Sequence, residues 1–400
     1  MSAASNARAA LLVGALALGT AAAAAAATAA IAVGMARRVV TPAVRREEDV
    51  AILAADVDAG WIRLARTPDT VVPGRYGLWF AGGSGHARIG RVLTTTSTTV
   101  TRLLESVQIG RLEDARRGRW GAWYHLVPAD LGLDADELDV MTELGPAPAW
   151  AVHPATGPST DWVIQVHGRG VTRSEGLRAL PVFRRAGFSS LLISYRNDGL
   201  APPSADRRYA LGLEEWRDVE SAVAEAMRRG ARRIVIMGWS MGGAIALQFL
   251  TRSPLARHVI GAVLESPVVD WRTVLRFHAA LSGLPRPVGE IALGVLGSAG
   301  ARPLLGTGAP IDLRELDLVA RADELAVPLL LLHSDDDGYV PAEASLALAA
   351  ARPDIVTLER FAVARHTKLW NVDPVRWEAV IARWLRARGQ EDAETLDQRA

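Results

Sequence analysis

The sequence predicts an α/β fold in which a mostly parallel sheet carries helices on both faces, preceded by a smaller β-rich region. Three observations predict it. From about residue 150 onward, short apolar runs alternate with amphipathic helical runs, the pattern of strands joined by crossover helices. The apolar runs are continuous rather than alternating, as strands buried on both faces must be. At 400 residues and 50% hydrophobic content, the chain can bury a large core and more than one domain.

Residues 1–46 read as a segment apart. From Ala9 to Ala36 no residue is charged, which exceeds the roughly 20 residues that a bilayer core requires. Arg37 and Arg38 close the run, with Arg45 and Arg46 beyond. We read it as a single N-terminal membrane span. The rival reading is a cleaved signal peptide, since small-residue cleavage sites abound between Ala21 and Ala30. The arginines following the run place that side in the cytoplasm, so the expectation is a membrane-associated protein with a cytoplasmic catalytic domain. Residues 47–149 carry short, glycine-punctuated runs such as Val72–Phe80 and Ala87–Leu93. A threonine-rich stretch, Thr94–Thr101, and Trp120–Tyr124 add β-formers. They predict a β-rich accessory domain.

Residues 150–388 then predict strands at Trp162–Val166, Leu191–Tyr195, Ile234–Met237, Val259–Leu264, Leu329–Leu332 and Ile355–Leu358. Between them, Glu214–Arg229 places Trp216, Val219, Val223 and Met227 at helical spacing, and Gly230 follows as a C-cap. Ala342–Ala351 and Pro374–Arg388 read as the last two helices; Trp377, Val380, Ile381 and Trp384 mark the buried face of the second. Trp271–Leu305 interrupts the alternation with apolar helical pieces broken by Pro285 and Pro287, an excursion that extends to about residue 322. Residues 389–400 form a polar tail.

Chemistry enters at Gly238-Trp239-Ser240-Met241-Gly242-Gly243. A strand, a tight turn bearing serine and then a helix is the context that gives G-x-S-x-G its meaning. Gly238 and Gly242 relieve clashes in a turn that sharp, and the serine takes a strained backbone conformation with its hydroxyl outward. A serine hydroxyl needs a histidine base, and the histidine needs a carboxylate that fixes its tautomer. For a nucleophile elbow the chain order is serine, acid, histidine. Downstream, the Leu329–Leu332 strand ends in His333-Ser334-Asp335-Asp336-Asp337-Gly338, and the strand after it is followed by His366, the last histidine in the chain. Any of the three aspartates could be the acid. His333 closes a strand and reads as structural. For the oxyanion, one N–H should come from Met241 and a second from Arg169 in the His167-Gly168-Arg169-Gly170 turn after an earlier strand. His167 itself reads as structural.

These features resemble the α/β-hydrolase superfamily in its esterase, lipase and serine-peptidase-like branches, over about Trp150–Arg388. The resemblance rests on His167-Gly168-Arg169-Gly170, the elbow around Ser240, the acid loop ending Asp337-Gly338-Tyr339-Val340-Pro341, and His366. Laid on the family pattern H-G-x-x-D-x-x-V-P, the acid loop puts the triad acid at Asp337; Ser334 stands where glycine is usual. The resemblance implies a Ser240–Asp337–His366 triad, a helical lid at about 271–322, and cleavage of a small-molecule carboxylic ester or thioester through an acyl-enzyme. A peptidase or amidase on the same triad is the alternative, and so is a catalytically silent, membrane-tethered binding protein.

Composition narrows the rest. A net charge of +1 leaves no electrostatic footprint for nucleic acid. Lys368 is the single lysine, which disfavours Schiff-base and P-loop chemistry. The absence of cysteine excludes disulfides, thiolate nucleophiles and cysteine metal sites. Neither H-E-x-x-H nor a dinucleotide-binding G-x-G-x-x-G in context occurs, so no cofactor or metal is expected.

Overall fold

The computed structural model describes residues 20, 23, 26–42 and 47–397, with side chains through Gly389. The expected anchor falls outside the described residues through residue 19 and again at 21, 22, 24 and 25. Among the described residues, no helix is long and apolar enough to cross a membrane. Residues 26–40 form helix α1. Its Ala32, Ala36 and Val40, one turn apart, are buried against the protein.

The accessory region is a closed antiparallel barrel of β1 (Val50–Asp56), β2 (Trp61–Ala65), β3 (Tyr76–Phe80), β4 (Gly85–Thr95), β5 (Thr99–Ile109) and β6 (Arg117–Gly121), in the order β1-β2-β5-β4-β3-β6. Closure removes the unpaired edges that a free sheet would expose. Alternate residues such as Ile62, Leu64, Tyr76, Leu78 and Phe80 fill the interior. Arg102, fully buried, donates to the carbonyls of Thr70, Val72 and Gly74, and so pins the loop between β2 and β3. Burial lowers its pKa to about 10.

The second sheet has eight strands: β7 (Asp136–Thr142), β8 (Gly145–Val152), β9 (Asp161–Val166), β10 (Ser189–Leu192), β11 (Arg233–Trp239), β12 (Val259–Glu265), β13 (Leu329–Ser334) and β14 (Val356–Phe361). Their order is β14-β13-β12-β11-β9-β10-β8-β7. Pairing is parallel from β10 through β14, and antiparallel at β7 and β8. Two expectations need correction. The division at residue 149/150 falls inside β8, because the β7–β8 hairpin pairs with β10 and belongs to this sheet rather than to the barrel. The Leu191–Tyr195 strand begins earlier and ends at Leu192.

Alternating strand residues build a core on each face. Ile234 and Ile236 of β11 pack with α3 (Trp216–Arg228) and α4 (Met241–Arg252); Val235 and Met237 pack with α2 (Leu180–Arg185) and α10 (Pro374–Asp397). The last helix continues to Asp397, through most of the expected polar tail. The excursion between β12 and β13 folds as α5 (Trp271–Leu281), α6 (Arg286–Gly297) and α7 (Arg302–Leu305). α8 (Glu343–Ala351) and α9 (Leu369–Val372) complete the helices.

Candidate active site

Ser240 occupies the turn from β11 into α4 with φ 52° and ψ −115°, a conformation that L-residues avoid. A Cβ on Gly238 would lie 2.7 Å from the Gly242 carbonyl oxygen, and one on Gly242 would lie 2.1 Å from that of Val166. Nothing larger than glycine fits at either position. The Ser240 N–H donates to the Glu265 carbonyl of β12 at 3.0 Å, and its carbonyl accepts from Val268 N. The backbone around the serine is therefore fixed by the centre of the sheet.

The structure brings the three expected side chains together. Ser240 Oγ lies 3.0 Å from His366 Nε2, and His366 Nδ1 lies 2.8 Å from Asp337 Oδ2. Asp337 Oδ1 accepts from the backbone N–H groups of Tyr339 and Val340, each at 2.9 Å. Burial opposes ionisation of Asp337, but the neighbouring His366 and His333 hold its carboxyl well below the usual carboxylate range. The other two aspartates face elsewhere. Asp335 pairs with Arg360 at the surface, and Asp336 accepts from Ser334 Oγ and the amides of Ala364 and Arg365. His333 bonds Ser345 Oγ and donates to the Val340 carbonyl. His167 lies against Asp198 and stacks on Tyr195. Neither reaches Ser240.

Met241 and Arg169 line one cavity with Ser240. Among the described residues, neither backbone N–H bonds a backbone acceptor outside the helices and strands. The Arg169 side chain reaches the end of α1. It caps the C-terminus of α1, donating to the carbonyls of Arg38 at 2.7 Å, Val39 at 3.1 Å and Thr41 at 2.8 Å.

Four further residues, all missed by sequence reasoning, hold these loops. The histidine loop is strained on both sides of His366, with φ 60° at Arg365 and 49° at Thr367. Arg178 donates to the Thr367 carbonyl and to Asn371 Oδ1. Glu175 pairs with Arg178 and accepts the Gly168 N–H, linking the His167–Gly170 turn through Arg178 to the histidine loop. Glu265, fully buried, accepts from the indoles of Trp239 and Trp377 and from Leu369 N; burial raises its pKa. Asp69 of the barrel reaches across to Lys368 at 2.6 Å and Arg365 at 3.6 Å. A signal existed for Glu265, an acid closing an otherwise apolar strand. The Glu175–Arg178 pair shows the i,i+3 spacing, whereas nothing local marks Asp69.

Two cavities meet at this site. One of about 590 Å³ is lined mainly by apolar side chains of α1 and α5, with Ser240 and Met241 at its floor. The other, about 290 Å³, lies between the barrel and the histidine loop and is lined by His366, Arg365, Lys368, Arg119 and Asp69. Tyr339 lines both, its ring 5.0 Å from His366 and 4.5 Å from His278. Burial lowers the His278 pKa, which favours its neutral form. Among the described residues no cluster of three or more metal-ligating side chains occurs.

Residues 152–393 match the Alpha/beta hydrolase family. Residues 51–121, spanning most of the barrel, match a family described as a domain of unknown function. A search of curated proteins finds no match. Among solved structures, an esterase from Pyrococcus furiosus is similar at 17% identity and a TM-score of 0.50, over 66% of this chain and 94% of that one. An acylaminoacyl peptidase from Pyrococcus horikoshii is similar at 16% identity and a TM-score of 0.51, over 86% of this chain and 56% of that one. At such identities the likeness is one of fold.

Proposed function

As the chain belongs to the alpha/beta hydrolase family, we propose that it is a serine hydrolase cleaving a carboxylic ester or thioester through an acyl-enzyme. The observation that carries this reading is the unbroken hydrogen-bonded chain from Ser240 through His366 to Asp337, opening on an apolar cavity. Ser240 Oγ attacks the carbonyl carbon while its proton passes to His366 Nε2. Asp337 holds the Nδ1–H and stabilises the imidazolium. The N–H groups of Met241 and Arg169 receive the oxyanion, each worth roughly 3 kcal/mol in comparable sites. When the intermediate collapses, the bond to the leaving oxygen or sulfur breaks and His366 returns the proton to it. Water, deprotonated by His366, then attacks the acyl carbon and releases Ser240 with its proton restored.

The test is labelling by a fluorophosphonate probe together with turnover of p-nitrophenyl esters and aminoacyl-p-nitroanilides. Wild type should label and prefer esters; Ser240→Ala should neither label nor turn over while remaining folded. Residual turnover near a tenth of wild type in Ser240→Ala is too much for loss of a triad nucleophile and would remove the assignment. Faster anilide turnover would make the enzyme an amidase or peptidase.

Membrane attachment through the N-terminal segment is also our proposal. Although Ala32 and Ala36 pack on the protein, the uncharged run ahead of Ile31 still reaches the roughly 20 residues that a bilayer core requires.

A further inference from the structure

The apolar cavity is built by two helix faces. On α1, Ile31, Gly34, Met35 and Arg38 line it, spaced i, i+3, i+4 and i+7. On α5, Trp271, Val274, Leu275 and His278 line it with the same spacing. At 1.5 Å per residue each face runs roughly 10 Å, so the cavity is a slot between helices. Ser240, Met241 and Arg169 line the same slot.

Chemistry decides which half of the substrate enters. The leaving group must receive its proton from His366, and His366 lines the smaller, charged cavity rather than the slot. The acyl half therefore points away from His366, along the slot. Within the α1 face Gly34 stands out. Glycine is disfavoured in a helix interior, and a Cβ added at Gly34 would meet no heavy atom within 4 Å. Packing does not require glycine there. What its absent side chain leaves is open space in the middle of the slot.

We propose that the slot between α1 and α5 is the acyl-chain site, that the substrates are esters of apolar acyl chains much longer than acetyl, and that Gly34 sets the chain length accepted. The proposal rests on the serine hydrolase reading above. It makes α1 a specificity-determining element, since α1 supplies one of the slot's two helix walls and its C-terminus is bonded to the His167–Gly170 turn through Arg169.

The experiment uses the full chain, as wild type, Gly34→Ala and Gly34→Leu. Both substitutions favour the helix. Fluorophosphonates bearing short or long alkyl chains are compared by their rate of labelling Ser240. Two isomeric esters, with the long chain on the acyl or on the alkoxy side, are compared by kcat/KM. Wild type should label faster with the long alkyl chain and should prefer the long acyl isomer. The long-to-short ratio should fall in Gly34→Ala, and by at least about tenfold in Gly34→Leu, as expected when a hydrophobic pocket loses room for a few methylenes. Preference for the long alkoxy isomer would overturn the assignment of the slot, and an unchanged ratio in Gly34→Leu would overturn the role of Gly34. Absence of labelling by either probe would instead fell the serine hydrolase reading on which the proposal stands.

Discussion

Replacing Asp337 by asparagine tests the site at its most buried point. Oδ1 accepts two backbone N–H groups, a role that an amide oxygen can keep. The new NH₂ then takes the place of Oδ2, 2.8 Å from His366 Nδ1. An NH₂ there donates where a carboxylate accepted, so Nδ1 loses its proton and Nε2 carries it. Nε2–H faces Ser240 Oγ at 3.0 Å and can no longer take the serine proton. The same change of tautomer in a Ser-His-Asp triad costs about 10⁴-fold in kcat, or about 5 kcal/mol of barrier. The fold should lose only about 1–3 kcal/mol, the cost of weakening a buried charged acceptor. Asp335→Asn breaks a surface pair with Arg360, worth about 0–1 kcal/mol, and should leave turnover within about threefold of wild type. Asp336→Asn weakens a loop-bracing acceptor and should fall between them. The assay is kcat on a p-nitrophenyl ester, with near-ultraviolet circular dichroism to confirm folding. An Asp337→Asn enzyme within tenfold of wild type, or Asp335→Asn as the most damaging of the three, would refute this reasoning.

Two further outcomes follow from the packing. A chain beginning at Arg45 should lose stability and activity. It lacks Ala32, Ala36 and Val40, whose burial is worth roughly 3 kcal/mol, and it frees the Arg169 side chain. We expect a Tm lower by several degrees and a kcat/KM at least about tenfold down, checked by thermal melts and ester turnover; wild-type values for both would discard the structural role of α1. His125 gives a pH signature. Burial, with Arg88 adding to it, pushes its pKa down from 6.5 to about 4. Between those values the unfolded chain binds a proton that the folded one refuses. Stability is thus complete above about pH 6.5 and declines as pH falls toward 4, by at most about 3 kcal/mol. Melts from pH 7 to 4.5 should show His125→Phe losing less on acidification than wild type, and parallel curves would contradict this.

The parts of the site legible in the sequence are those in which backbone geometry dictates residue type over a few positions. The elbow is one: a strand, a turn that excludes side chains at Gly238 and Gly242, and a helix leave a local imprint. The ordered succession of acid loop and histidine loop is another, because each follows a strand, the strongly apolar β13 and the mixed β14. The β7–β8 hairpin left a poorer imprint. β7 alternates acids with apolar residues, as a half-exposed edge strand does, and β8 carries Pro146 and Pro148 where it pairs with β7. Prolines there read as a break rather than a strand. The end of the uncharged N-terminal run, in α1, packs on protein. Its alanines supply the apolarity expected of a membrane span, yet Ala32, Ala36 and Val40 form a stripe that packs on protein. Contacts such as Asp69 with Lys368, or Arg169 with Val39, join residues far apart in the chain and leave no periodicity to read.

Those distant contacts share one physical logic. Ser240, Ser266, Arg365 and Thr367 all have positive φ, and each such residue costs about 1–3 kcal/mol. Strain of that size persists only where surrounding bonds over-determine the backbone. For Ser240 the sheet itself does this, through the Glu265 carbonyl and the close packing at Gly242. The histidine loop is held by side chains instead: Ser334 and Asp336 accept from the amides of Ala364 and Arg365, and Glu265 accepts from Leu369 N. Arg178 holds it from within the catalytic domain, and Asp69 grips Arg365 and Lys368 on either side of His366 from the barrel. Arg102 in turn pins the loop that carries Asp69. The His167–Gly170 turn is held on its other side by α1, through Arg169. The two elements outside the eight-stranded sheet thus each brace one loop beside Ser240, and the Glu175–Arg178 pair joins those loops to each other. On this logic the barrel acts on the placement of His366, and α1 on that of the turn carrying Arg169.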